Sequence, residues 1–126
     1  MATYRSILIV DDSATSRMIV QRCIEMAGVE AQAFVGAENG LDALALLKTH
    51  GEIDLIVTDL NMPKMDGRAF TRIVKADPTY GKLVLIVVSS IADGDAEAEL
   101  LKLGAAAVVK KPVSPAKMSA VLGGLA

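Results

Sequence analysis

Residues 57–67, VTDLNMPKMDG, connect a strongly apolar segment to a loop with unusual backbone and polar preferences. The preceding run, residues 53–57, has the length and composition of a buried strand, yet the segment stops at Asp59. Asn61, Pro63 and Gly67 follow, and residues of these types favour turns with a specified backbone. In open parallel α/β sheets, ligands bind beyond the carboxyl ends of the strands. A strand that ends on a carboxylate therefore indicates a ligand site.

The bulk composition limits the class of protein. With 126 residues and 52% hydrophobic residues, the chain fits one domain, residues 1–126, with an ample core. A net charge of −2 gives no basic excess for nucleic-acid binding. The apolar runs are too short to span a bilayer, and the N-terminus does not resemble a signal peptide. The single cysteine, Cys23, is expected to be a core residue, and we expect a cytoplasmic protein without membrane insertion.

The hydrophobic pattern alternates between strand-like and helix-like segments along the whole chain. Short connections and continuously apolar central strands are typical of a parallel sheet covered by helices on both faces. On the first helix Ile19, Cys23 and Met26 predict one buried stripe, and Phe70, Ile73 and Val74 predict another on the third. The predicted strands are residues 6–10, 30–35, 53–58, 83–88 and 107–110. The predicted helices are residues 13–28, 38–50, 67–77, 93–103 and 114–123, each approximate at its ends. Ser13 or a neighbouring polar residue is expected to cap the first of them, and Ser114-Pro115 is the expected N-cap and N1 pair of the last.

Polar side chains collect where four of these strands end. Three acids, a hydroxyl and an amine would meet at one edge of the sheet, although each residue taken alone could be an ordinary cap or solvated loop residue. Lys110 in particular is expected to be solvated. The strand ends carry Asp11 and Asp12, Asp59, Ser89 and Ser90, and Lys110 and Lys111.

This combination of groups predicts a cation site that supports phosphoryl transfer. Crowded carboxylates repel unless a cation lies between them, and hard oxygen ligands favour Mg²⁺. One or two carboxylates are enough to hold Mg²⁺, which leaves the third free to act as a nucleophile. A lysine and a serine hydroxyl suit the remaining oxygens of a phosphoryl group. The residues therefore indicate an aspartate that accepts a phosphoryl group covalently.

Four stretches, in this order and spacing, resemble the receiver domain of two-component response regulators. They are VDDS at residues 10–13, TDLNMPKMDG at 58–67, VVSS at 87–90 and VVKKPV at 108–113. The resemblance covers essentially the whole chain. It implies a flavodoxin-like (βα)5 fold, an α/β doubly wound five-stranded parallel sheet with strand order 2-1-3-4-5. It also implies a phosphoacceptor domain rather than an enzyme, of the stand-alone type found in chemotaxis.

The resemblance assigns a metal-binding role to residues at two strand ends. It implies that Asp12 contacts Mg²⁺ directly and that Asp11 does so through water. Asp59 completes the acidic set, and Asn61 is expected to contribute its backbone carbonyl.

The resemblance assigns the phosphoryl group to the same edge. It makes Asp59 the phosphoacceptor, Ser89 the switch hydroxyl and Lys111 the conserved lysine. A cis peptide bond at Lys111-Pro112 is expected to aim the lysine into the site. Receiver domains often carry an aromatic residue three positions before that lysine, where this chain has Val108.

The functional expectation is a phosphorylation-dependent signalling switch of a two-component phosphorelay. Its expected partners are a histidine kinase or histidine phosphotransfer protein, and a downstream protein bound by the fourth helix, fifth strand and fifth helix of a monomer. A phosphate-sink or phosphotransfer role is the alternative, and the absence of the aromatic residue is compatible with it. A Mg²⁺-dependent phosphatase is disfavoured, because Asn61 stands where such enzymes usually have a second acid.

Overall fold

Five strands and five helices alternate along the chain in a computed structural model that describes residues 3–90 and 94–124. The predicted start of the fourth helix at Asp93 lies outside the described residues. None of the described helices combines the length and apolar character needed to cross a bilayer. The strands are β1 Thr3–Val10, β2 Glu30–Ala37, β3 Ile53–Asp59, β4 Val84–Ser89 and β5 Ala107–Lys110. The helices are α1 Ala14–Met26, α2 Gly40–Thr49, α3 Gly67–Ala76, α4 Gly94–Leu103 and α5 Pro115–Gly123.

The strands form one parallel sheet in the order β2-β1-β3-β4-β5, which confirms the predicted topology. The central strands β1, β3 and β4 are buried along most of their length. In the register of the sheet Asp59 lies opposite Val88, and Ser89 lies opposite Lys110. The carboxyl ends of β3, β4 and β5 are therefore aligned at one edge.

Side chains of the sheet alternate between two separate hydrophobic layers. Leu8 and Val10 point into a layer that contains buried residues of α2, α3 and α4, including Phe70. Ile7 and Ile9 point into the opposite layer, with buried residues of α1 and α5. Successive strand residues face opposite sides of a sheet, so a continuously apolar strand supplies both layers.

Capping side chains fix where four of the helices begin, and this positions the loops at the carboxyl edge. Each accepts a hydrogen bond from a backbone N–H in the first turn, which is otherwise without an intrahelical partner. The predicted caps Ser13 and Ser114 are confirmed. The acceptor-to-nitrogen distances are 3.2 Å for Ser13, 2.9 Å for Asn39, 2.9 Å for Asp66 and 3.1 Å for Ser114.

Two predictions about helix faces are wrong. Ile19 and Met26 on α1 are 47% and 71% exposed, and Val20 and Ile24 are buried beside Cys23 instead. Apolar residues occupy several faces of this helix, so the sequence offered two candidate stripes, and the packing of α1 against β1 and α5 selects the other one. On α3, Phe70 and Val74 are buried as predicted. Ile73 is 42% exposed, because a helix lying on a sheet buries only one narrow face.

The first strand begins earlier than the sequence predicted. The carboxylate of Asp54 on β3 accepts hydrogen bonds from the backbone N–H groups of Arg5, at 3.0 Å, and Ser6, at 3.3 Å. The register between β1 and β3 shifts between Ser6 and Ile7. The Asp54 side chain therefore takes over where the ladder with β3 is interrupted. Pairing of Thr3 and Tyr4 with β2 extends the strand back to Thr3.

Candidate functional site

Three carboxylates meet at the carboxyl edge of the sheet. Asp59 ends β3, and Asp11 and Asp12 directly follow β1. One oxygen from each of these side chains lies within 4.8 Å of the others. Asp11 and Asp59 are buried, whereas Asp12 is exposed. This convergence was predicted from the ends of the strands. Two of the acids are buried, and the third, Asp12, is open to solvent.

The backbone of Asp11 is held by the end of the sheet. Its N–H donates to the carbonyl of Ala37 at 3.0 Å, and its Oδ1 accepts from the N–H of Ser13 at 2.9 Å. Burial raises the pKa of the Asp11 carboxyl above its ordinary value, and the nearby Asp59 and Asp12 carboxylates raise it further. The Ser13 N–H and the Lys111 ammonium oppose this increase in the pKa. Ionised Asp11 is thus disfavoured where no cation offsets its charge.

Lys111 reaches across the edge to two of the acids. Its Nζ lies 3.2 Å from Asp59 Oδ1 and 3.7 Å from Asp11 Oδ2. The expected cis peptide bond at Lys111-Pro112 is present, and the Lys111 N–H donates to the Ser89 carbonyl at 2.8 Å. The ammonium therefore lies beside Asp59, where it can also contact an oxygen of a group bound to that carboxylate.

Ser89 lies beside this lysine at the end of β4. It is the last residue of the strand and is 1% exposed. Its neighbour Ser90 is exposed. The site thus receives one buried serine side chain from β4.

The loop after Asp59 is closely packed against the strand end. The N–H of Gly67 donates to the Leu60 carbonyl at 2.7 Å, and a Cβ on Gly67 would lie only 2.2 Å from the Asp59 carbonyl oxygen. Lys64 has a positive φ of 64°. Asn61 is exposed, two residues after Asp59 at the same edge. A glycine is therefore required where the loop turns into α3.

Two basic side chains without a distinctive sequence pattern contact the backbone of the site. Arg17 Nη1 on α1 donates to the carbonyl of Asp11 at 2.5 Å. Lys117 Nζ on α5 donates to the carbonyls of Lys110, at 3.0 Å, and Pro112, at 2.8 Å, on either side of Lys111. Basic residues on helices normally indicate a solvated face, so their spacing carried no signal.

Val108 on β5 occupies the position where receiver domains often carry an aromatic residue. It is half-buried and packs against the layer that contains Phe70 and Leu100. The side chain is part of the core packing beside α4 rather than a ring that could rotate between an exposed and a buried position.

The residues present fit a hard divalent cation. The cluster supplies carboxylate oxygens only, which are the ligands that Mg²⁺ prefers, and solvent can reach it at Asp12. Lys111 balances only part of the negative charge of three acids. This donor set leaves room for water and phosphate oxygens, which commonly complete the coordination of Mg²⁺.

The raised pKa of Asp11 predicts that the ion-free fold is destabilised by its ionisation. Protonated Asp11 contributes fully to the stability of the fold below its ordinary pKa of 3.8. This contribution is lost as pH rises through the higher pKa of the folded state. Asp11→Asn keeps an acceptor for Ser13. It should therefore raise the free energy of unfolding in EDTA at neutral pH, with the gain disappearing toward low pH. Urea unfolding across this pH range measures it, and a loss of stability at pH 7 would contradict it.

Comparisons with known proteins agree with this geometry. The model of the response regulator receiver domain family matches residues 7–122. Chemotaxis protein CheY1 of Helicobacter pylori is 32% identical over 122 residues, covering 93% of this chain and 96% of that protein. The sensor histidine kinase CheAY of Helicobacter pylori is also 32% identical, but the match covers 92% of this chain and only 14% of that protein. The structure of chemotaxis response regulator CheY4 of Vibrio cholerae superposes with a TM-score of 0.81 at 27% identity, covering 98% of this chain and 99% of that one.

Proposed function

Because this chain belongs to the response regulator receiver domain family, we propose that it is a signalling switch that accepts a phosphoryl group on Asp59. Members of this family are phosphoacceptors rather than enzymes in the usual sense, and phosphorylation-dependent signalling is general to them. The observation that carries the assignment to Asp59 is its position. This carboxylate has an oxygen within 4.8 Å of oxygens of Asp11 and Asp12 and lies 3.2 Å from the Lys111 ammonium, at the end of a buried strand.

The chemistry that these residues support is an in-line phosphoryl transfer. An Asp59 carboxylate oxygen attacks the phosphorus of the donor, and the bond from phosphorus to the donor's nitrogen or oxygen breaks, with its electron pair leaving on that atom. The product is an acyl phosphate on Asp59. The Lys111 ammonium, already 3.2 Å from Asp59 Oδ1, is placed to offset negative charge on the phosphoryl oxygens.

The metal requirement follows from the same charges. Asp11, Asp12 and Asp59, with the Asn61 carbonyl, are the residues that would hold Mg²⁺. When bound, the ion supplies charge neutralisation between the carboxylates and the incoming phosphoryl oxygens. The protein contributes rigid placement, since Asp59 is fixed by β3 and Asp11 by its bonds to Ala37 and Ser13.

The direct test is phosphorylation by a small-molecule donor such as acetyl phosphate. With Mg²⁺ present, mass spectrometry should find one added phosphoryl group, and trapping of the acyl phosphate followed by peptide mapping should locate it on Asp59. The same reaction in EDTA should give little labelling. A label that maps to any other residue, or equal labelling in EDTA, would contradict the proposal.

Mg²⁺ should also stabilise the fold, because a ligand that binds only the folded state shifts the folding equilibrium. We expect an increase of roughly 1–3 kcal/mol in the free energy of unfolding at saturating Mg²⁺. Asp12→Ala should reduce this increment, while in EDTA the same variant should be at least as stable as the parent, because one repelling charge is gone. Thermal unfolding measures both, and an unchanged melting temperature on adding Mg²⁺ would contradict the prediction.

Transmission of the signal is proposed to start at Ser89. An aspartyl phosphate adds acceptor oxygens beside Lys111, and the Ser89 hydroxyl can donate to one of them. Since Val108 carries no ring, the response would come mainly from displacement of the loop after Ser90 and of α4, although residues 91–93 lie outside the described part of the chain. The proposed output surface for a downstream protein is formed by α4, β5 and α5.

Ser89→Ala should separate phosphorylation from signalling. The variant retains Asp59 and Lys111, so beryllofluoride with Mg²⁺ should still bind, but the amide chemical-shift changes from Ser89 to Leu103 should be at least halved. Nuclear magnetic resonance titration measures this. Equal changes in the variant and the parent would show that Ser89 does not couple the site to α4.

We further propose the cellular setting from the family and its chemotaxis relatives. The phosphoryl donor would be a histidine kinase or histidine phosphotransfer protein, and the domain would act as a monomer in the cytoplasm, as one stand-alone domain over residues 1–126. The match to CheY1, which covers 96% of that protein, supports the proposal of a single stand-alone domain. Val108 favours one second candidate, a phosphate sink without a dedicated output partner. Shift changes confined to the loops of Asp12, Asp59 and Lys111 would favour it.

A further inference from the structure

Arg17 extends from α1 to the carboxyl edge of the sheet, where it contacts the backbone beside the carboxylate cluster. Its Nη1 donates to the carbonyl oxygen of Asp11 at 2.5 Å, from α1 across to the end of β1. That carbonyl belongs to the peptide unit that joins Asp11 to Asp12. A guanidinium that bonds this oxygen fixes the plane of the peptide, and with it the directions in which the two carboxylates leave the backbone.

The guanidinium is placed by packing as well as by its hydrogen bond. The Arg17 side chain lies over Gly36 on the edge strand β2, where an added Cβ would come within 3.1 Å of Nε and 3.3 Å of Cδ. Gly36 has no side chain to compete for this space, and its φ is not in the left-handed region. The absence of a side chain at Gly36 therefore leaves space for the arginine and does not serve an unusual backbone conformation.

Two other bonds hold the neighbouring groups. The Asp11 N–H donates to the carbonyl of Ala37, and Asp11 Oδ1 accepts from the Ser13 N–H. With Arg17 on its carbonyl, Asp11 has its N–H, its C=O and one carboxylate oxygen bonded within the protein. This leaves little rotational freedom in the segment that presents both acids.

We propose that Arg17 is a positioning residue, which holds the Asp11-Asp12 peptide in the orientation that binds a divalent cation and thereby sets the affinity of the carboxylate cluster for Mg²⁺. The inference rests on the proposed function in that the cluster is taken as the Mg²⁺ site. Outer-shell partners that orient metal ligands typically change metal affinity by about 10–100-fold when removed.

The direction of the change in Mg²⁺ affinity distinguishes a positioning role of Arg17 from a purely electrostatic one. A positive charge near a cation site weakens cation binding, so loss of the Arg17 charge alone would tighten Mg²⁺ binding. Loss of positioning would weaken it. The two explanations therefore predict changes of opposite direction in the same dissociation constant.

Three variants test the proposal, with Mg²⁺ itself as the probe in isothermal titration calorimetry. Arg17→Gln removes both the charge and the fixed contact. Arg22→Gln is the matched control, since it removes the same charge from an exposed position on the same helix. Gly36→Val retains Arg17 and its charge but fills the space that the Arg17 side chain occupies over Gly36. A β-branched residue suits a strand, so the fold should not be weakened.

The expected result is that the Kd for Mg²⁺ rises about 10-fold in Arg17→Gln and also rises in Gly36→Val, while Arg22→Gln leaves it unchanged or slightly lower. In EDTA the Ser13 amide should exchange its hydrogen faster in Arg17→Gln than in the parent, because the loop that holds it is loosened. A Kd in Arg17→Gln that is unchanged or lower overturns the inference while leaving the proposed function intact. A parent protein that does not bind Mg²⁺ overturns both.

Discussion

Asp59→Asn is expected to lower phosphoryl labelling by more than about 100-fold, the largest functional effect of any single substitution in this chain. Asparagine has nearly the shape of aspartate but cannot act as the attacking carboxylate. Asp59 is fixed at the end of a buried strand that pairs with β4, and the neighbouring Asp11 is held in its own position by its bonds to Ala37 and Ser13. Labelling with acetyl phosphate and Mg²⁺, followed by mass spectrometry, measures the effect.

A matched control is available in the loop that follows. Asp66→Asn removes the same charge by the same chemical change, and asparagine caps a helix about as well as aspartate, so the bond to the Ala69 N–H can persist. This control should be labelled like the parent. If Asp59→Asn were labelled as well as the parent, the acceptor would lie elsewhere and the assignment of Asp59 would be wrong.

Gly67→Ala is expected to lower the free energy of unfolding by about 3 kcal/mol or more. A Cβ at this position would lie 2.2 Å from the Asp59 carbonyl oxygen and 2.9 Å from the Leu60 Cα. Both neighbours are backbone atoms of the strand end, so they cannot move aside as a flexible side chain would. The chain must shift at Asp59 itself, and phosphoryl labelling should fall together with stability.

Gly94→Ala is the matched control, because Gly67 is the first residue of α3 and Gly94 is the first described residue of α4. Among the described residues, no atom outside its chain neighbours and its own helix backbone lies within 4 Å of a Cβ built on Gly94, and alanine is the better helix former. This control should be as stable as the parent or slightly more stable in urea. Equal unfolding midpoints for Gly67→Ala and the parent would show that the loop after Asp59 accommodates a side chain without cost.

The order of the elements could be predicted because each signal in the sequence was local. Apolar runs of strand length, the cap at Ser13 and the Ser114-Pro115 pair identify elements whatever surrounds them, and all of these predictions are confirmed. The buried face of α1 could not be predicted in the same way. Ile19 and Val20 are adjacent and similarly apolar, and the packing against β1 and α5 decides which of the two is covered.

The residues of the candidate site likewise include some that local sequence signals predict and some that depend on tertiary packing. Residues at strand ends could be placed together once the sheet was taken as parallel, so Asp11, Asp59 and Lys111 were expected to meet. Arg17 and Lys117 act through backbone carbonyls, which every residue possesses. A sequence pattern cannot show which carbonyl a long basic side chain will reach, because this depends on the tertiary distance between a helix and a strand end.

The separation of the core into two layers has a mechanical consequence for the proposed signal. The layer under α1 and α5 supports the segments that carry Asp11, Asp12 and Lys111, whereas α4 belongs to the layer on the other side of the sheet. A displacement of α4 therefore has to repack only its own layer, and the sheet isolates the other. If phosphorylation moves α4 as proposed, α1 and α5 would remain a fixed support for the reacting groups, and α4 could change its position without disturbing them.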